Sequence, residues 1–64
     1  MKVKFSPGAA KLQVVKVLKE ELHLGLKEAK DMVYTCEFEC YDTEYPHLKK
    51  KLEEVGAGEF RRAD

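Results

Sequence analysis

Two spacings of apolar side chains divide the first half of the chain. Residues 2–6 alternate between charged and apolar side chains, with Val3 and Phe5 on one face, which predicts a short strand. The segment 6–8, Ser-Pro-Gly, has the composition of a turn. Residues 9–22 then show helical spacing. The positions expected to face the core are Val14, Val17, Leu18 and Leu22.

A second helix and a second strand follow. After a break at residues 23–25, apolar side chains recur at helical spacing from residue 26, and those expected to point inward are Leu26, Ala29 and Val33. Residues 36–41 alternate and predict a strand. Cys36, Phe38 and Cys40 would lie on its inner side, with glutamates opposite.

A third helix and a brief last strand complete the pattern. Asp42 or Thr43 is expected to cap this helix, and Pro46 suits its first turn, where the missing N–H costs nothing. Its buried face is predicted to contain Leu48, Leu52 and Val55, and Gly56 is a natural stop. Residues 59–62 form the last predicted strand. The order is β-α-α-β-α-β, which predicts a single α/β (α+β) domain over residues 1–64, with two layers, three helices over a three-stranded sheet.

Composition limits the classes of partner. The 64 residues are 44% hydrophobic, which suits a globular core, and 12 basic residues balance 12 acidic ones. A net charge of zero gives no general attraction to nucleic acid or to an anionic membrane, so charge-driven recognition needs local clustering. Neither a membrane helix nor a signal peptide is present in the sequence, and two cysteines are too few for a disulfide framework. We therefore expect a cytoplasmic protein.

Recognised motifs for catalysis and metal binding are missing from the sequence. The sequence contains no glycine-rich phosphate loop and no HExxH motif, and no Ser/His/Asp set stands in a recognised context. At strand rise, Cys36 and Cys40 would lie ~13 Å apart, too far for a mutual disulfide. They could join His23 or His47 in a zinc site, but the spacing matches no familiar finger. Two buried thiols are the favoured interpretation, so we predict no enzyme, no cofactor and no metal.

One position on the first helix departs from the amphipathic pattern. Leu12 falls well away from the core stripe and projects beside Lys16 and Lys19, with Val15 at the edge of that stripe and Lys11 at the helix start. An ordinary solvated face with one stray leucine explains this pattern. A docking patch explains it as well: the aliphatic centre supplies desolvation energy and the lysines steer an acidic partner.

Three segments of the chain resemble a known family. The string GLKEAKD at residues 25–31, followed by Met-Val, resembles the start of the second helix in the C-terminal domain of the bacterial ribosomal stalk protein. The string KLQVVKVLK at 11–19 is similar to that domain's first helix, and LKKKLEEVGA at 48–57 is similar to its last helix. Gly8 also falls where the family has a glycine.

The resemblance implies a fold and a role. The fold it implies is β-α-α-β-α-β, and the role is recruitment of translational GTPases (elongation, initiation and release factors) to the ribosome without catalysis. The family's factor-contacting surface combines the first helix with the start of the second. Carried onto this sequence, it implies partner-binding residues Lys11, Leu12, Val15, Lys16, Lys19, Glu28 and Lys30.

Several positions depart from the family pattern. Lys19 replaces a common arginine and loses its planar fork. Glu20 and His23 replace small residues, often glycines, so the connection between the first two helices should be stiffer. Residues 34–47 are shorter than their counterpart and unlike it, and Gly58 interrupts the alternation of the last strand. The N-terminal dimerisation domain and hinge of stalk proteins have no counterpart in the 64 residues, so either a fragment or a stand-alone relative is expected.

Two alternatives remain open. The stalk domain shares its general fold with the adaptor that delivers substrates to the Clp protease, and Tyr34, Tyr41 and Tyr45 could line a peptide site of that kind. Ordinary packing at a sheet edge is the favoured interpretation of these tyrosines. Nucleic-acid contact through residues 49–51 with Arg61 and Arg62 is the weaker alternative, because the net charge is zero and two glutamates stand next to those lysines.

Overall fold

The computed structural model describes residues 1–63, which form six elements in the predicted order. They are β1 (Lys2–Ser6), α1 (Lys11–Glu21), α2 (Leu26–Thr35), β2 (Glu37–Glu39), α3 (Tyr45–Glu54) and β3 (Gly58–Arg62). The α/β class with three helices and a three-stranded sheet is confirmed. The ends differ slightly from the prediction: α1 begins at Lys11 rather than at residue 9, and β2 is only half as long as predicted.

The sheet places the N-terminal strand in the centre. Its order is β2-β1-β3, and both pairings are antiparallel. Val3 lies opposite Phe38, which puts these two side chains on the same, helix-covered face. The other face is charged, and the Nζ of Lys2 lies 3.3 Å from Oε2 of Glu37. Because that pair is partly exposed, it contributes little to stability.

The core lies between the sheet and the helices. Phe5 is at its centre, with its ring centroid 5.2 Å from that of Phe38 and 6.1 Å from that of Phe60. The buried hydrophobic residues are Val3, Phe5, Val14, Val15, Leu18, Ala29, Val33, Phe38, Cys40, Leu48, Leu52 and Ala57. Almost every residue predicted to face inward belongs to this set or packs partly buried against it. Within residues 1–63, no helix has both the length and the apolar character that a membrane crossing requires.

Two inward predictions were wrong. Leu26 is 51% exposed, because it is the first residue of α2. Helical side chains lean toward the preceding turn, and Leu26 has no such turn to cover. Cys36 is exposed and is not part of β2. It ends α2 with φ 61, and this left-handed backbone lets its N–H donate to the carbonyls of Met32 and Val33.

The start of α3 also differs from the prediction. Neither Asp42 nor Thr43 caps the helix; the N-cap position is Glu44, and it makes no side-chain cap. Its carboxylate instead accepts a hydrogen bond from the backbone N–H of Tyr41 at 3.0 Å, which closes the turn before the helix. Pro46 is in the first turn as expected, and Gly56, with φ 95, ends the helix.

Candidate protein-binding site on the first two helices

The solvent-facing side of α1 carries an exposed aliphatic side chain among lysines. Val14 and Leu18 are completely buried, so they fix the orientation of the helix. Leu12 is then turned into solvent and is 80% exposed. Lys16 and Lys19, one and two turns further along, are exposed on the same side. We call Leu12, Lys16 and Lys19, together with the exposed Lys11, the α1 patch.

Val15 does not share the exposure of this patch. Its position at the edge of the core stripe predicted that Val15 would contribute exposed aliphatic surface to the patch. Its side chain is instead only 7% exposed. The reason is tertiary: α1 packs against α2, and Val15 lies on the side of α1 that faces Lys30 and Val33 of α2. The aliphatic surface of the patch is therefore supplied by Leu12, with Val15 beneath its edge.

A groove runs between α1 and α2 on the side of Val15. Its volume is about 300 Å³, and its lining residues are Pro7, Lys11, Val15, Lys30, Val33, Tyr34 and Cys36. We call this cavity the α1–α2 groove. Three of the predicted partner-binding residues line it: Lys11 and Val15 of α1 and Lys30 of α2. The lining contains two lysines and no carboxylate.

The structure separates Glu28 from this surface. At about 100° per residue, Glu28 and Lys30 lie ~200° apart around α2 on the side that contains the fully buried Ala29. Glu28 is in the first turn of α2, where a carboxylate interacts favourably with the positive end of the helix dipole. Its assignment to a partner-binding surface depends on the family resemblance alone.

One exposed residue of α2 lines the groove although the sequence did not predict it as part of the site. Tyr34 is 90% exposed and lines the α1–α2 groove, although packing at a sheet edge was expected. Leu26, Lys30 and Tyr34 are spaced by four residues, so they follow one side of α2. That spacing was a usable signal in the sequence. This spacing was not recognised, because Leu26 was predicted to face the core and Tyr34 was placed in the segment 34–47 after the helix.

The three tyrosines considered for a peptide site do not share one surface. Tyr34 lines the α1–α2 groove, whereas Tyr41 is 77% exposed and lines a separate cavity of about 540 Å³. Tyr45, at the start of α3, is partly buried against the core. The expectation of sheet-edge packing is therefore wrong for Tyr34 and Tyr41, and the three rings do not form a common peptide site.

The two cysteines and two histidines do not gather at one place. Cys36 lines the α1–α2 groove, whereas the buried Cys40 and the exposed His23 both line the cavity of about 540 Å³. Burial raises the pKa of the Cys40 thiol, and the nearby Glu44 carboxylate adds to this effect. His47 is engaged with α1, its Nε2 lying 3.3 Å from Oε1 of Glu21. Among residues 1–63, no group of three His, Cys, Asp or Glu side chains is arranged to hold a metal ion.

The basic residues of the nucleic-acid alternative are divided between α3 and β3. The Nζ of Lys49 lies 5.9 Å from the centroid of the Phe60 ring, so this lysine takes part in an intramolecular cation–π contact. Lys50 and Lys51 are exposed on α3, whereas Arg61 pairs with Lys4 in the sheet. This arrangement adds nothing in favour of nucleic-acid binding.

Comparison with known proteins supplies the family. A family model described as the ribosomal protein L7/L12 C-terminal domain matches residues 2–58. The large ribosomal subunit protein bL12 of Phocaeicola vulgatus is 57% identical over 56 residues, which cover 81% of this chain and 45% of the relative. The bL12 protein of Bacteroides fragilis is 55% identical with the same coverage, and that of Aquifex aeolicus is 46% identical, covering 81% of this chain and 44% of the relative.

The chain thus spans less than half the length of these relatives. No solved structure gives a significant match. The family match covers every element of the fold except most of β3, and it includes both helices that form the patch and the groove. The chain belongs to the ribosomal protein L7/L12 C-terminal domain family.

Proposed function

We propose that this domain is a non-enzymatic module that binds translational GTPase factors, with α1 as its contact surface. The contact residues are those of the α1 patch with Val15 at its edge, joined by Lys30 and, through the resemblance alone, Glu28. The observation that carries the proposal is the 80% exposure of Leu12 on a helix whose neighbouring apolar side chains are buried. Relatives named as large ribosomal subunit proteins support a role in translation at the ribosome.

The physical roles of the patch residues differ. Complete removal of a leucine side chain from water contributes about 1.5–3 kcal/mol, so Leu12 supplies binding energy when a partner covers it. Lys11, Lys16 and Lys19 surround it with positive charge and, within residues 1–63, form no ion pair. Exposed charges of this kind accelerate encounter with an acidic surface and orient the partner. A non-enzymatic adaptor needs no more than this combination.

A charge-reversal experiment tests the proposal. The 15N-labelled domain is titrated with a purified bacterial elongation factor, and amide shifts are followed by NMR while the affinity is measured by calorimetry. We expect shifts concentrated in residues 11–19. The double variant Lys16→Glu/Lys19→Glu should bind about 10- to 100-fold more weakly, because both steering and contact charges are reversed.

The matched control reverses the same number of charges elsewhere. Lys50→Glu/Lys51→Glu changes two exposed lysines of α3 and gives an identical net charge. This control should retain affinity within a few-fold of the unmodified domain at 0.15 M salt, where remote charges are largely screened. Equal losses in the two double variants, or shifts confined to the sheet, would contradict the proposal. Absence of binding to every translational GTPase would do the same.

A further inference from the structure

We infer that the α1–α2 groove seats an apolar side chain flanked by carboxylates, presented by an acidic segment of the partner protein. This inference depends on the proposed function and deepens it, because it specifies the chemistry that the partner must bring. It also adds Tyr34 to the contact residues and makes the groove, rather than α1 alone, the centre of the site.

The floor of the groove is apolar. Val15 of α1 and Val33 of α2 are each 7% exposed, and Pro7 closes the floor as a third buried residue. A volume of about 300 Å³ is at the lower end of the range for binding pockets. It suits one large side chain or a short segment better than a whole helix. An apolar occupant would complete the burial of both valines.

The rim of the groove selects for negative charge. Lys11 lies on the α1 side and Lys30 on the α2 side, and neither forms an ion pair within residues 1–63. The cavity of about 540 Å³ differs, because Glu39 and Glu44 line it together with Met1, whose N-terminal ammonium donates to the Cys40 carbonyl. The groove lining thus carries positive charge alone, in a molecule whose net charge is zero. A carboxylate on each side of an apolar anchor complements the rim.

Tyr34 provides an aromatic wall that nothing in the fold uses. Its side chain is 90% exposed, yet it borders the same groove as the two valines. Tyrosine combines a large apolar ring with low rotamer entropy, and it is enriched among the residues that dominate binding energy at protein interfaces. An apolar floor with an aromatic wall favours a protein segment over a phosphate or a nucleic-acid backbone, which would need charge alone.

The test uses matched pairs of exposed residues. Tyr34→Ala removes the wall of the groove, and Tyr41→Ala removes another exposed ring from a different surface. Lys30→Glu reverses the rim, and Lys27→Glu reverses an exposed lysine of α2 that does not line the groove. Amide spectra of all four variants verify the fold. Each variant is titrated with a bacterial elongation factor and with an acetylated peptide that has one phenylalanine between two pairs of acidic residues.

We expect Tyr34→Ala and Lys30→Glu each to weaken factor binding about tenfold, and the two controls to change it less than twofold. Peptide-induced shifts should map to Lys11, Val15, Lys30 and residues 33–36. A peptide with serine in place of phenylalanine should bind more weakly. If the factor binds through α1 but neither Tyr34→Ala nor Lys30→Glu affects it, the groove inference is overturned, and factor binding through the α1 patch stands without Lys30.

The opposite failure is distinguishable. If no elongation factor binds but the phenylalanine peptide shifts the groove residues and Tyr34→Ala abolishes those shifts, the groove chemistry is supported and the proposed partner is wrong. If neither factor nor peptide perturbs the groove, both are overturned.

Discussion

A β-carbon placed on Gly8 would lie 2.6 Å from the carbonyl oxygen of Gly56. The turn that leads from β1 into α1 therefore packs backbone against backbone on the turn that leads from α3 into β3. Both glycines have positive φ, 73 for Gly8 and 95 for Gly56, a backbone conformation that favours glycine. At Gly8 the lack of space for a β-carbon is a second reason for glycine. This contact orients α1, and with it the α1 patch, relative to α3.

Substitution of Gly8 by alanine should therefore destabilise the domain. The left-handed backbone costs about 1–2 kcal/mol for a residue with a β-carbon, and the overlap with backbone atoms that cannot rotate away adds about 1–3 kcal/mol. We expect the free energy of unfolding to fall by about 2–4 kcal/mol in urea titrations followed by circular dichroism. Gly58→Ala is the control, because a β-carbon there meets nothing within 4 Å. Its effect should stay below about 1 kcal/mol. Similar losses for both variants would contradict the contact.

Substitutions at Leu12 and at Val15 should have different effects: the first should weaken factor binding and the second should lower the stability of the domain. Leu12→Ala should change the free energy of unfolding by less than about 0.5 kcal/mol, since the side chain is exposed, yet weaken factor binding about tenfold. Val15→Ala should cost about 1–3 kcal/mol in unfolding free energy because it leaves a cavity in the core. Chemical denaturation and calorimetry with the same factor provide the two measurements. A Leu12 variant that loses stability but not affinity would show that this residue belongs to the fold alone.

Substitution of His23 by glycine should stabilise the domain. His23 has φ 54 in the turn between α1 and α2, a conformation that costs about 1–2 kcal/mol for a residue with a β-carbon. Glycine removes this cost but adds about 0.5–1 kcal/mol of backbone entropy on folding. We expect His23→Gly to raise the free energy of unfolding by about 0.5–1 kcal/mol. His23→Ala, which keeps the β-carbon, should give no gain in the same thermal or urea melts. If the glycine variant is less stable than the alanine variant, the backbone at His23 is not strained.

The two thiols should differ in reactivity. Cys36 is exposed and Cys40 is buried with a raised pKa, so Ellman's reagent should modify Cys36 quickly in the native domain. Cys40 should react at the same rate only after denaturation. Cys36→Ser isolates the slow thiol and Cys40→Ala isolates the fast one. Two equally fast thiols in the native domain would contradict the burial of Cys40.

The raised pKa of Cys40 also predicts a pH dependence. The folded state holds the thiol proton more tightly than the unfolded state does, and burial is the main cause. The resulting stability is complete below the ordinary thiol pKa of about 8.5 and is lost as the pH rises through the higher folded value. Unfolding free energy in urea should therefore decline above about pH 8.5 more steeply in the unmodified domain than in Cys40→Ala. Parallel declines would show that this thiol does not contribute.

Local patterns were enough for most of the fold. Alternation assigned Val3 and Phe5 to the inner face of a strand, and helical spacing assigned Leu18 and Leu52 to the core, all of which the structure confirms. These predictions succeeded because each depends on the period of one element. The errors fall at element ends: Leu26 begins its helix and Cys36 ends the same one, so the average period of the helix does not govern where their side chains point.

The amphipathic pattern of the first helix was enough to show that Leu12 lies outside its core stripe, and the family resemblance singled out the same surface. Packing between the elements sets the strand order β2-β1-β3, the burial of Val15 and the position of Tyr34 beside it in one groove. These features were not predictable because a pattern along one helix shows which side is apolar, but not which neighbour covers each edge of that side. That choice depends on contacts between residues far apart in the chain.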